Sequence, residues 1–113
     1  MNLLIQIIIS ALAVYFTAYI LPGITVNSFL SSIGVAVVLA LLNTFLKPVL
    51  ILLSIPVTIL TLGLFLLVIN AFIIILASKI VDGFAVDGFW WALLFSIILS
   101  FVTGILESVG EKF

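Results

Sequence analysis

The sequence predicts an all-α integral membrane protein, with four transmembrane helices set as two repeated helical hairpins and joined by a proline-broken connector. Three observations lead there. Of 113 residues, 67% are hydrophobic and 6% charged, where a soluble domain carries about 25% charge, so water is not the solvent of this chain. The apolar residues gather into stretches near the ~20 residues that a helix needs to cross a bilayer. The polar breaks between those stretches recur at an offset of sixty residues.

The first stretch, Leu3 to Leu21, carries no charge. It lacks the basic start and small-residue cleavage site of a removable leader, and reads as a retained helix ended by Pro22 and Gly23. The second runs from Phe29 to Leu46. Proline disfavours helical geometry in the residue before it, so Lys47 is the expected end. Pro48 suits the first position of a new helix, and Pro56 follows eight residues later. Residues 48–55 therefore read as a short helix of ~12 Å, too short to cross. The third span starts between Val57 and Leu62 and ends near Lys79. The alternative for residues 48–78 is one tilted helix kinked at Pro56. A polar break around Asp82 and Asp87 leads to the fourth span, about Phe89 to Leu106, and to a polar tail. The whole is one membrane domain: hairpin 1 at about 3–46, connector at about 47–62, hairpin 2 at about 63–106 and tail 107–113.

Shifting the chain by sixty lays Gly23, Val26, Asn27 and Phe29 on Gly83, Val86, Asp87 and Phe89. Gly23 and Gly83 are the expected turns. On the second span Ser32, Ala36, Ala40, Asn43, Thr44 and Lys47 recur at helical spacing. Their counterparts on the fourth are Ala92, Ser96, Ser100, Thr103, Gly104 and Glu107. Small side chains let membrane helices approach, and Ser, Thr and Asn bond across the contact, so spans two and four are expected to pack through these faces. A fainter stripe, Gln6, Ser10, Ala13 and Thr17, marks the inner face of the first span, with Asn70 the counterpart of Ser10. Lys47 and Glu107 fall at equivalent depths, either as separate interfacial anchors or as an ion pair. Eight apolar residues before Pro56 favour a connector that does not cross, which gives both hairpins one orientation. Tyr15, Tyr19, Phe84, Trp90 and Trp91 gather towards the turns as interfacial aromatics do. Lys47 and Lys112, against Lys79 alone on the turn side, put both termini in the cytoplasm.

The residue inventory excludes much chemistry. There is no His, Cys or Arg, so zinc, haem, iron–sulfur and copper lack their usual ligands. Neither Cys–His nor Ser–His catalysis is available. The expectation is a non-enzymatic protein without cofactor or metal. Three lysines form no basic stripe, which makes nucleic acid an unsuitable partner.

The order Leu21-Pro22-Gly23-Ile24, then Asn43 with Lys47-Pro48, then Pro56, Thr58, Thr61, Leu62 and Gly63, and finally Asn70 resembles the bacterial four-span phage holin family of superfamily IV over nearly the whole chain. Many of its members carry Arg before the first connector proline; Lys47 keeps the charge without the fork-shaped donor. The resemblance implies a small multi-pass protein of the bacterial inner membrane, with hole formation as the activity its name suggests.

Two functions follow as expectations. One is a holin-like protein that oligomerises in the lipid bilayer through its small-residue faces and forms pores or perturbs the envelope. In the other, the broken segment with Asn43, Thr58, Thr61 and Asn70 coordinates an ion or solute in a small channel or transporter subunit, as discontinuous helices do. An accessory anchor for another membrane protein is a third. Against these stand plainer readings: the faces hold a four-helix monomer together, and the connector hydroxyls satisfy backbone freed by Pro56.

Overall fold

The computed structural model describes residues 2–61 and 63–110. Helix α1 spans Leu3–Ile20, and its first turn is capped by Asn2, whose Oδ1 accepts from the Ile5 N–H at 2.8 Å. Leu21 turns extended ahead of Pro22. Strand β1 is Ile24–Val26, and Ser28 then caps α2 (Phe29–Leu41), its hydroxyl accepting from the Ser31 N–H.

Helix α2 does not stop at Lys47, as the sequence suggested. A π-helical turn, Leu42–Leu46, carries it into α3 (Lys47–Leu53), making one helix of 25 residues, Phe29–Leu53. Proline has no N–H, and its ring presses on the carbonyl four residues back. Here the turn before Pro48 widens, and the Lys47 N–H donates to Leu42 O five residues earlier. The local widening takes up the proline without ending the helix. The break comes instead at Ser54, whose φ −104°, ψ 7° leave the helical region. Pro56 then sits in the first turn of a short helix, α4 (Ile55–Leu60), where its missing N–H costs nothing. Gly63, at φ +90°, adopts the left-handed conformation that glycine tolerates and donates its N–H to Thr58 O.

Helix α5, Phe65–Ile80, begins a few residues later than expected; strand β2 is Phe84–Val86 and α6 runs Phe89–Gly110. The expected polar tail is thus helical from Glu107 to Gly110; residues 111–113, with Lys112, and Leu62 lie outside the described residues. Three helices (α1, Phe29–Leu53 and α6) are long and apolar enough to cross a membrane, and α5 is a shorter apolar helix. Its 16 residues give ~24 Å at 1.5 Å each, a little under the ~30 Å hydrocarbon core.

The two glycine loops, read from sequence as turns only, pair as an antiparallel ribbon. Ile24 faces Val86, Thr25 faces Ala85 and Val26 faces Phe84. Beyond the strands, the Asn27 N–H donates to Gly83 O at 2.8 Å and the Asp87 N–H to Gly23 O at 2.9 Å. Both loops therefore lie at one end of the bundle. Around its axis the helices run α2, α1, α6, α5 and back to α2, each packing on its neighbours, while α2 and α6 stand diagonally opposed with at most marginal contact. The expected packing of spans two and four through their small-residue faces is thereby corrected. The core is apolar and lies towards the ribbon: Val14, Val35, Ile73, Ile74, Phe84 and Phe95 are buried, and many buried positions fall sixty apart, such as Ile9 with Ile69, Val14 with Ile74 and Val35 with Phe95. Many large apolar side chains, Leu12, Phe16, Leu41, Phe72 and Phe101 among them, point outward, as a lipid-facing surface requires.

Candidate functional site

Near the ribbon Phe95 on α6, Val35 on α2 and Ile73 on α5 are buried in one apolar cluster. Further along, α2 offers Ala36 and Ala40, the π turn Asn43, and α6 offers Ser100, Thr103 and Gly104. These side chains are too small to meet across the diagonal, and a cleft of about 380 Å³ remains, reaching from Ser10 and Val14 on α1 to Glu107 on α6. A smaller chamber of about 100 Å³ adjoins it, walled by Asn43 and Lys47, by Asn70 on α5 and by Ser96 and Ser100. Asn43 and Ser100 line both, so the two form one polar interior in the half of the bundle away from the ribbon.

The local sequence explains what each polar group has left to offer. The Ser96 hydroxyl donates to Leu93 O at 2.8 Å and that of Ser100 to Ser96 O at 2.9 Å, so both hydroxyls retain only acceptor capacity. Asn43 sits within the π-helical turn, a distortion that frequently marks functional sites. Among the described residues, the side chains of Asn43, Asn70 and Thr103 have no hydrogen-bond partner, and Lys47 and Glu107 form no ion pair. Of the two readings of Lys47 and Glu107, the ion pair is not formed; both groups are half-buried, Lys47 on the wall of the chamber and Glu107 on that of the cleft.

The candidate residues divide into two groups. Asn43, Lys47, Asn70, Ser96, Ser100, Gly104 and Glu107 converge on the polar interior. Pro48, Pro56, Thr58, Thr61 and Gly63 do not line it. The connector hydroxyls serve their own backbone: Thr61 Oγ1 donates to Val57 O at 3.0 Å and accepts from the Phe65 N–H at 3.2 Å, while Ser54 Oγ lies 3.4 Å from Thr58 Oγ1 and donates to Ile51 O. Broken backbone in lipid needs such partners, and here the connector supplies them locally. The turn glycines have separate tasks. Gly23 lies against the Trp91 ring, where any Cβ would collide, and Gly83 has φ +88° with Ser31 at the equivalent place. Of the faint stripe on α1, Ala13 and Thr17 are buried and Ser10 reaches the cleft, whereas Gln6 is exposed.

The sequence placed Ser100 and Gly104 on a packing face, but did not anticipate that they continue through Ser108, every fourth residue, into an exposed groove along α6 between Phe101, Ile105 and Val109. The i, i+4 spacing of small residues was the available signal. Nor did it anticipate the pairing of the two loops, for which the β-branched and aromatic residues at 24–26 and 84–86 were the only hint.

The family model described as mycobacterial four-span phage holin, superfamily IV, matches residues 1–105. The chain is 37% identical to an uncharacterised membrane protein, YvlD, of Bacillus subtilis over 96% of each chain. It is 38% identical to an uncharacterised protein of Streptomyces coelicolor, covering 95% of this chain and 94% of that one. No solved structure matches it.

Proposed function

The chain belongs to the four-span phage holin family of superfamily IV, and from that premise we propose that it is a non-enzymatic, holin-like protein that oligomerises in the bacterial inner membrane to open pores or perturb the envelope. Its architecture on this reading is two repeated hairpins in one orientation, joined by a connector that stays on the side of the termini, with both termini cytoplasmic. The ribbon supports the repeat, because its register is symmetric about Thr25 and Ala85, positions sixty apart.

The observation that carries oligomerisation is the outer groove of α6. Ser100, Gly104 and Ser108 are exposed, Ser100 and Gly104 at the edge shared with the cleft, and among the described residues only α6 lines the groove. Small residues at i and i+4 let a second membrane helix approach closely, with dispersion and hydroxyl contacts in place of a hydrophobic drive. Ser108→Leu fills the groove without entering the cleft. In liposomes, dye release by the native protein should rise steeply with protein density, and subunit counting by photobleaching should give several copies per spot. Ser108→Leu should return single copies and abolish release. A variant that still assembles and still releases dye refutes the groove as the assembly surface.

The polar interior favours a second reading, a small channel or transporter subunit. Its distinguishing result is flux that saturates with solute and selects among solutes at any protein density.

A further inference from the structure

We infer that the polar interior between α2 and α6 is a binding site for a zwitterionic phosphoammonium headgroup, with Lys47 facing the phosphate and Glu107 the ammonium. Depth is the first argument. Lys47 lies eighteen residues beyond Phe29 and Glu107 eighteen beyond Phe89. At 1.5 Å per residue each is ~27 Å from the ribbon end, close to the far boundary of a ~30 Å hydrocarbon core. Lipid phosphates lie at that level.

Charge is the second. One cation, Lys47, lines the smaller chamber and one anion, Glu107, the larger cleft, with Asn43 and Ser100 common to both; among the described residues the two charges are not paired with each other. Both side chains are half-buried, and among the described residues neither has a charged partner. A simple anion would satisfy Lys47 while meeting repulsion from Glu107, and a simple cation the reverse. A ligand carrying both signs satisfies both, which commits the site to a zwitterion. The remaining groups match the same chemistry. The Asn43 and Asn70 amides and the Thr103 hydroxyl are unused donors beside Lys47 and Glu107, suited to phosphate and ester oxygens. Ser100, its proton already donated to Ser96 O, can only accept, which suits an ammonium N–H. Below the polar groups Val14, Ala36, Leu39 and Leu99 form an apolar floor. Lys47 opens on the 100 Å³ chamber and Glu107 on the adjoining 380 Å³ cleft, the latter alone within the ~300–1,000 Å³ of small-ligand sites.

The same headgroup chemistry has two sources, a membrane phospholipid and a soluble phosphoammonium ester. The test is native mass spectrometry of the full chain, purified in detergent as a monomer so that oligomerisation plays no part. It is titrated separately with phosphatidylethanolamine and phosphatidylglycerol. The native protein should take up phosphatidylethanolamine at about tenfold lower concentration, equivalent to ~1.4 kcal/mol. Glu107→Gln leaves a net positive interior and should invert the preference towards phosphatidylglycerol; Lys47→Met should weaken both by about tenfold or more. Should either charge variant fail to fold by circular dichroism, Asn43→Leu occupies the same space without changing charge and should weaken phosphatidylethanolamine alike. Soluble phosphoethanolamine titrated alone separates the sources: uptake at concentrations no higher than phosphatidylethanolamine needs identifies a free solute, and uptake only at far higher concentration identifies the membrane lipid. Equal uptake of both lipids by the native chain, or a preference that survives Glu107→Gln, Lys47→Met and Asn43→Leu alike, overturns the assignment.

Discussion

Gly23 and Trp91 show how much one missing side chain decides at the ribbon end. The indole of Trp91 covers the Gly23 Cα so closely that an added Cβ would overlap the ring. At the position sixty residues later the same arrangement holds Ser31 against Gly83, where a Cβ would come within 2.7 Å of the hydroxyl and φ is +88° as well. The first glycine answers a close approach, the second a backbone conformation together with a milder one. Overpacking a well-filled site costs ~1–3 kcal/mol, so Gly23→Ala should lower stability by about that amount in detergent thermal unfolding. In a double-mutant cycle, Trp91→Leu should relieve most of the cost. Gly83→Ala should gain no comparable relief from Ser31→Ala, because its strain lies in the backbone. Additive effects for the Gly23 pair would show that the ring yields freely.

At the scale of the element, the two prolines of the middle segment behave differently because their surroundings differ. Pro48 has a complete helical turn before it that can widen, and the Leu42–Leu46 π turn does so. Pro56 stands two residues after Ser54, where the chain has already left helical geometry. Restoring an N–H at 56 allows a bond to Leu52 O and the fusion of α3 with α4, since an interior proline costs ~3 kcal/mol relative to alanine. Spin labels at the exposed positions Val49 and Leu60 read the outcome. In a straight helix eleven residues span ~16 Å, and Pro56→Ala should move the measured distance towards that value. An unchanged distance would assign the bend to Ser54 and its hydroxyl bonds instead.

For the whole molecule, the ribbon has the largest consequence, because it ties together the ends of two hairpins far apart in sequence. Thr25 and Ala85 face each other directly and are both exposed, and opposed residues in such a pair lie ~4.5–5.5 Å apart at Cα, within the range a disulfide needs. With no native cysteine to interfere, Thr25→Cys with Ala85→Cys should cross-link on mild oxidation within one chain. Single cysteines at Asn27 and Asp87 should react with an impermeant reagent from one side of the membrane, and those at Asn2 and Val109 from the other. Labelling of 27 and 87 from opposite sides would mean that the segment between the hairpins crosses the bilayer.

Composition by itself determined that this chain lives in a membrane as helices, because seven charges among 113 residues cannot clothe a water-facing surface, and lipid leaves the backbone few ways to satisfy itself other than in helices. The glycine turns, the ends of α1 and the start of α6 were likewise legible, since capping residues and prolines act over a few positions. The path of the chain through Pro48 was not. Whether a helix ends at a proline or widens before it depends on what the helix packs against, and the sequence around Lys47 suits both. The arrangement of helices was not legible either. Small polar faces on the second and fourth spans are equally suited to contact and to a cavity. The choice fell to the ribbon and to Val35, Ile73 and Phe95, which set the bundle's spacing near one end and leave Asn43, Lys47, Ser100 and Glu107 around an opening at the other.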